Sequence, residues 1–268
     1  MAATVGQVLE FLNTIAPMNT AESYDNVGLL TGNSAENITG IACCLDITQE
    51  IIDEALSKNA NLIVSHHPVI FHPLKRVMAG TPVYSLVRSD ISAIAVHTNF
   101  DMCEAGVNDA LMELLGWQSS GVLEQTQPTG LGIGGIADLP LGFTAKALAE
   151  HCKKSLDLES VKYCEGDIQA ITRVGVCSGS GGDLLARAAA LGCQALVTGD
   201  VKHSVWVEAH NLGMALIDAG HYGTEKCASH RLATLLSRAF PEIPVFTTDA
   251  ECEPCTQPTP KHDYLLRV

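Results

Sequence analysis

Two adjacent histidines in Ser65-His66-His67-Pro68 close the apolar run Asn61-Leu62-Ile63-Val64, and a second ligand-type set stands near the far end as His221-Tyr222-Gly223-Thr224-Glu225. Imidazoles and carboxylates hold the divalent metals that activate water, and a paired centre needs a carboxylate that bridges both ions. The stretch His97-Thr98-Asn99-Phe100-Asp101 repeats the His-x3-acid spacing of His221 and Glu225. A strand that ends at Pro68 lets neighbouring side chains diverge, so His66 and His67 are expected to face different ions. Together these residues point to a two-metal site. Each also has a plainer reading: Asp101 as a turn or helix cap, Glu225 as the acidic first turn of a helix after Thr224, and the histidine pair as satisfied polar groups at a strand end.

The elements that must position these residues repeat along the chain. Ile38–His67 aligns without gaps on Ile171–Asp200, with Ile38-Thr39 on Ile171-Thr172, Cys44 on Cys177, and Asn61–Ser65 on Gln194–Thr198. Each copy reads as a short apolar strand, a helix (Glu50–Lys58 and Asp183–Leu191) and a second apolar strand. A further strand (Ile91–Val96 and Met214–Ala219) then leads into the His-x3-acid element. This predicts an internal duplication: two interlinked α/β lobes, each with a largely parallel sheet, facing one another across the dinuclear site. Residues 1–124, completed by 245–268, form the first lobe, and 125–244 the second. In such sheets ligands gather at the carboxyl ends of strands, where His66, His67, His97, His221, Gly199 and Asp200 all fall. Glycine-rich Gly130–Gly142 reads as the lead-in to the second lobe, and Gln257-Pro258-Thr259-Pro260 as a break before a short terminal strand.

Composition bounds the function classes. A chain of 268 residues with 47% hydrophobic residues supports a substantial core. Met1–Met18 predicts an amphipathic helix, with Val5, Val8, Leu9, Leu12 and Ile15 on one face, Thr4 ahead of it and Pro17 ending it. Lacking a basic start and carrying Glu10, it does not read as a signal peptide. No apolar run approaches the roughly 20 residues that span a bilayer, so no membrane partner and a cytoplasmic location are expected. A net charge of −14 argues against nucleic acid as a main partner. Cys43, Cys44, Cys177 and Cys193 lie in apolar runs, as reduced, buried thiols do. Only Cys252-Glu253-Pro254-Cys255 has metal or redox spacing. Gly179-Ser180-Gly181-Gly182 before a helix is the one phosphate-loop pattern, with an ordinary tight turn as its alternative; it lacks the Gly-Lys-Ser/Thr ending of a nucleotide-binding loop.

These motifs resemble one family, the GTP cyclohydrolase I type 2 homologues or Nif-three-like proteins. The resemblance covers nearly the whole chain. It rests on Tyr24-Asp25-Asn26-Val27-Gly28-Leu29, Ser65–Pro68, His97–Asp101, Thr198-Gly199-Asp200-Val201-Lys202-His203 and Asp218–Glu225. It implies two interlinked α/β lobes, a homo-oligomer, most often a hexameric ring, and the short form without an inserted domain. It further implies two divalent ions per chain (Zn, Mn, Fe, Co or Ni), one held by His67, Asp101 and Glu225 and the other by His66, His221 and the bridging Glu225. His97 would be the acid–base group, with Lys202, His203 and Asp25 lining the site. His151, His210 and His230 in helical stretches, and His72 and His262 in loops, read as surface or structural.

The implied reaction is metal-dependent opening of the GTP imidazole ring with release of formate, with only Lys75, Arg76 and Lys202 in view for a triphosphate. Two rivals stand beside it. One is another two-metal hydrolase, acting on a phosphoester, nucleotide or peptide. The other is a metal-binding ring or scaffold without turnover.

Overall fold

The computed structural model describes residues 3–255. The first helix, α1 (Val5–Ile15), starts at a reciprocal cap in which the Thr4 hydroxyl accepts from the Gln7 N–H and the Gln7 side chain accepts from the Thr4 N–H. Its buried stripe is Val5, Val8 and Leu12. There follow β1 (Gly28–Thr31), β2 (Ile41–Cys44), α2 (Gln49–Ser57), β3 (Leu62–Ser65), α3 (Pro82–Arg88), β4 (Ser92–Ala95), α4 (Thr98–Asp101) and α5 (Val107–Leu114). The chain then builds β5 (Ser119–Gln125), β6 (Gly132–Phe143), α6 (Ala145–Ser155), β7 (Lys162–Cys164), β8 (Ile171–Val176), α7 (Leu185–Ala190) and β9 (Ala195–Thr198). It closes with α8 (His203–Leu212), β10 (Ala215–Asp218), α9 (His221–Glu225), α10 (Cys227–Ala239) and β11 (Val245–Thr247).

Two sheets result, in a mixed α/β fold. The first runs β1-β4-β3-β2-β11, with every pairing parallel except β1 on β4. The chain therefore returns from the second sheet to lay β11 beside β2. The second runs β5-β6-β8-β9-β10-β7, and only β8-β9 and β9-β10 pair in parallel. The expectation of a largely parallel second sheet is thus corrected. Its cause is the glycine-rich stretch read as a lead-in, which instead forms the long strand β6, hairpinned onto β5 and antiparallel to β8. Gly134 there has φ +68, and a Cβ on it would press on Leu123 and the Val176 carbonyl. Tight strand packing, not a linker, explains the glycine. The terminal strand expected after Gln257–Pro260 lies outside the described residues.

Strand side chains alternate between layers, as a period of two requires. Ile41, Cys43, Leu62, Val64 and Ile94 of the first sheet, and Val174, Val197 and Ile217 of the second, enter one shared core with α1, α5, α6 and α10. Ala42, Cys44, Ile63 and Ala93 face α2 and α3 on the outer side of the first sheet. Leu196 and Leu216 face α7 and α8 on the outer side of the second. With both faces covered, the central strands are mostly apolar, with polar residues chiefly at their ends. No helix among the described residues is long and apolar enough to cross a membrane.

Buried Asn108 on α5 ties the sheets together at the level of the site. Its Oδ1 accepts from the Ser178 N–H at 2.9 Å and its Nδ2 donates to the Asp101 carbonyl at 3.1 Å. Asn108→Ala would strand a buried N–H, so urea unfolding should show a loss of about 1–3 kcal/mol. A loss below about 0.5 kcal/mol would show that this tie is dispensable.

Candidate metal centre

Carboxyl ends of parallel strands from both sheets converge on one cluster. β3 delivers His66 and His67, the β4 end delivers His97 and, through α4, Asp101, and the β10 end delivers His221 and Glu225 on α9. The one-turn spacing of His221 and Glu225 sets both on the same helix face.

The ligand-type atoms fall into two groups about Glu225. Glu225 Oε2 lies 2.9 Å from both His67 Nε2 and His221 Nε2, which are themselves 3.4 Å apart. Glu225 Oε1 lies 3.9 Å from His66 Nε2, which is 3.6 Å from Asp101 Oδ1. One oxygen of Glu225 therefore faces each group. The resemblance had placed His67 with Asp101 and His66 with His221; the geometry exchanges the two histidines. Successive residues leave a strand end in opposite directions, and it is His66 that turns into the interior beside α4.

Hydrogen bonding fixes what these nitrogens present. His66 Nδ1 lies 2.9 Å from the Val96 carbonyl oxygen, which only accepts, so Nδ1 carries the hydrogen and Nε2 is a bare lone pair. That Nε2 is buried without a hydrogen-bond partner and faces two carboxylate oxygens. Acceptors so arranged suit a cation among them. His67 Nδ1 is likewise held by Asp46 at 2.9 Å and His221 Nδ1 by Asp200 at 2.8 Å, turning both Nε2 atoms toward Glu225. Bonds of about 2.0–2.1 Å to a divalent ion put neighbouring ligand atoms about 3.0–3.4 Å apart, which the His67–His221–Glu225 triangle matches. The residues present fit a metal, and several His, Asp and Glu groups among the described residues bring donor atoms within 4.8 Å of one another.

His97 stands at the edge of this cluster, its ring centroid 5.2 Å from that of His66 and 5.3 Å from that of His67. Its nitrogen joins a further group of donor atoms with the two. Asp25 takes His97 Nδ1 at 2.9 Å and also accepts from the Thr98 N–H and hydroxyl, so it backs His97 rather than lining the site. Lys202 and His203 are exposed at the start of α8 and line none of the cavities beside the cluster.

The glycine loop is drawn inward at Gly179 and Gly181. The Ser178, Gly179 and Gly181 N–H groups donate to Asn108, Thr224 and Thr198 side chains, which leaves none of the three free for an anion. Gly179, at φ +59, is needed for another reason: a Cβ there would press on the Glu225 carboxylate. Cys43, Cys44, Cys177 and Cys193 are buried free thiols, raised by that burial. Cys252 and Cys255 are free and exposed. His151 lies within α6, where it bonds the Leu115 carbonyl and stacks on Trp117, a structural role. His210 and His230 lie in α8 and α10 and His72 in a loop, while His262 falls outside the described residues.

The model of the Duf34/NIF3 (NGG1p interacting factor 3) family matches residues 3–254. The chain belongs to the Duf34/NIF3 family. It is 32% identical to a GTP cyclohydrolase 1 type 2 homolog of Clostridium acetobutylicum over 84% of this chain and 86% of that one. A protein of the same name from Streptococcus pneumoniae is 33% identical over 87% and 89% of the two chains. The crystal structure of the Staphylococcus aureus hypothetical protein SA1388 superposes with a TM-score of 0.90 at 29% identity, over 96% of this chain and all of that one.

For this Duf34/NIF3 chain, the residues that sequence reasoning left without a role are Asp46 and Asp200. Both follow the carboxyl end of an apolar strand, β2 and β9, and that position was the available signal.

Protonation follows from the same contacts. Burial lowers His66 to about 3. Burial would lower His67 too, but its hydrogen bonds to Asp46 and Glu225 outweigh that and raise it to about 10. The hydrogen bond to Glu225 chiefly raises His221, to about 9. Burial pushes Glu225 up, yet bonds from His221 and His67 hold it well below the carboxylate range. Burial, then the Glu225 charge, raises Asp101 well above it. Without metal, His67 and His221 thus carry protons at neutral pH, which stabilises the fold below the ordinary imidazole value of 6.5 and ceases to do so as pH rises through about 9 to 10. Metal must displace these protons. Calorimetric titration in buffers of different protonation enthalpy should show protons released on metal binding at neutral pH, with affinity rising toward pH 9. Uptake without proton release would contradict this charge assignment.

Proposed function

We propose that this chain is a two-metal hydrolase, with GTP ring opening and formate release as its candidate reaction. The observation that supports it most directly is Glu225, buried and turned with one oxygen to each of two donor groups. His66, Asp101 and Glu225 would hold one ion, and His67, His221 and Glu225 the other. Divalent ions there supply an activated water and polarise the group under attack. The Val96 carbonyl, Asp46 and Asp200 orient the three ligand imidazoles, and such backing raises ligand basicity. His97, held through Nδ1 by Asp25, keeps Nε2 for taking up and returning a proton beside the site. Assembly as a homohexamer is part of this reading and rests on the family resemblance, and a cytoplasmic location is proposed with it.

Two concavities open on the His67–His221 side. One of about 290 Å³ is reached past Asp46, His67, Leu74 and Arg76. The other, of about 610 Å³, is reached past Asp200 and His221. The larger is lined by Asp157, Glu159, Asp200, Asp218 and Glu253 against Lys162 and Lys226, a balance that repels a triphosphate. Of the cations expected to clamp phosphate, only Arg76 lines either concavity. This charge pattern favours a second reading, a two-metal hydrolase of an uncharged nucleoside or related small molecule. Release of formate or phosphate from a panel of nucleotides and nucleosides decides between them. Metal-loaded protein that turned over none of them would favour a metal-binding scaffold.

Metal analysis of the purified chain should find about two divalent ions, and Glu225→Gln should weaken both, because a neutral amide bridges poorly. His67→Ala and His221→Ala should lose the same ion, while His66→Ala and Asp101→Ala lose the other. A single ion indifferent to Glu225 would refute the shared carboxylate.

His97→Asn should lower turnover about 10²–10⁴-fold with both ions retained. Loss of an ion in that variant would make His97 a ligand, and unchanged turnover would make it structural.

A further inference from the structure

Two aromatic rings stand exposed beside the metal centre. Tyr24 is 63% exposed and Phe71 38%, unusual for side chains of this size in a chain with an ample core. Their centroids are 6.4 Å apart, and the Phe71 ring is 6.3 Å from that of His97. The pair therefore continues the row of rings that runs from His66 and His67 through His97.

The pair is held in register with the centre. Asp25, next to Tyr24, is fastened to His97 and Thr98 by three hydrogen bonds of 2.9, 3.1 and 2.6 Å. Asn26, the next residue, donates from Nδ2 to the Ile70 carbonyl at 2.6 Å and so fixes the segment that carries Phe71. Rings preorganised in this way lose little freedom when a ligand covers them.

We propose that Tyr24 and Phe71 form the stacking surface for the planar heteroaromatic ring of the substrate, with His97 at its inner edge. An aromatic face attracts any base by its π-surface and needs no charge on the ligand. The proposal rests on the hydrolase reading only in placing the reaction beside His97. It names Tyr24 and Phe71 as specificity residues that the metal site does not require.

The test is guanosine binding to the full-length, metal-loaded protein, followed by calorimetry, with ribose as the non-aromatic control. Guanosine should bind and ribose should not. Tyr24→Ala and Phe71→Ala should each weaken guanosine by roughly tenfold, while Tyr24→Phe and Phe71→Tyr keep the affinity and all four keep their metal. No binding of guanosine, or equal binding by the alanine variants, overturns the proposal. So does a shift in oligomeric state by light scattering with guanosine affinity unchanged, which would mean that a second copy of this chain covers the rings together with exposed Leu74, Val77 and Met78. Guanosine bound as expected without formate release from any substrate would sink the ring-opening reaction and leave the stacking surface standing.

Discussion

The rest of the site depends on the burial of one carboxylate. Glu225 is 5% exposed, and an ionised group taken out of water to that degree persists only if hydrogen-bonded and charge-compensated. The fold supplies the compensation from both sheets. His67 comes from the end of β3 and His221 from the turn after β10, and each meets the same Glu225 oxygen at 2.9 Å. Room for the carboxylate comes from Gly179, and Thr224, one residue before Glu225, accepts from the Gly179 N–H at 2.9 Å. A chain in which the two sheets failed to share their core would have no such site, because neither sheet holds a complete set of donors.

Orientation of the imidazoles is the second constraint. A histidine offers a metal only the nitrogen that its other hydrogen bond leaves bare. Here His66 is set by a backbone carbonyl, whereas His67 and His221 are set by carboxylates that are themselves exposed at 55% and 59%. The buried group is therefore closed off by protein, while the His67–His221 group meets the solvent-filled concavities on both sides. His97 borders both groups, its ring 5.2 Å from that of His66 and 5.3 Å from that of His67.

Much of this was legible in the sequence because strand-end placement is a strong signal. Apolar runs that stop at a polar pair located β3, β4 and β10 to within a residue or two, and with them every residue of the cluster. What stayed hidden has physical reasons. Adjacent residues at a strand end diverge, but spacing does not say which turns inward, so His66 and His67 were exchanged. Glycines in β6 carry no pattern of alternation and looked like a linker, although the close approach of β5 and β8 is what demands them. Asp46 and Asp200 act through another side chain, and only the folded distances of 2.9 and 2.8 Å reveal that role. The glycine loop at 179–182 matched an anion-binding pattern, yet the Gly179 and Gly181 N–H groups are spent on internal side chains.

The protonation pattern ties these constraints together. Five carboxylates, those of Asp25, Asp46, Asp101, Asp200 and Glu225, touch the cluster or back it, and such a density of negative charge needs a positive counterpart in every state of the protein. Without metal, protons serve: His67 and His221 are raised to about 10 and about 9, and Asp101 is raised with them. The positions that hold these protons are those whose lone pairs face the centre. Protons and divalent ions would thus compete for the same atoms. His66 is the exception. Lowered to about 3 by burial, it has no proton to give up, and its bare Nε2 lies beside Asp101 and Glu225 where a cation would meet all three.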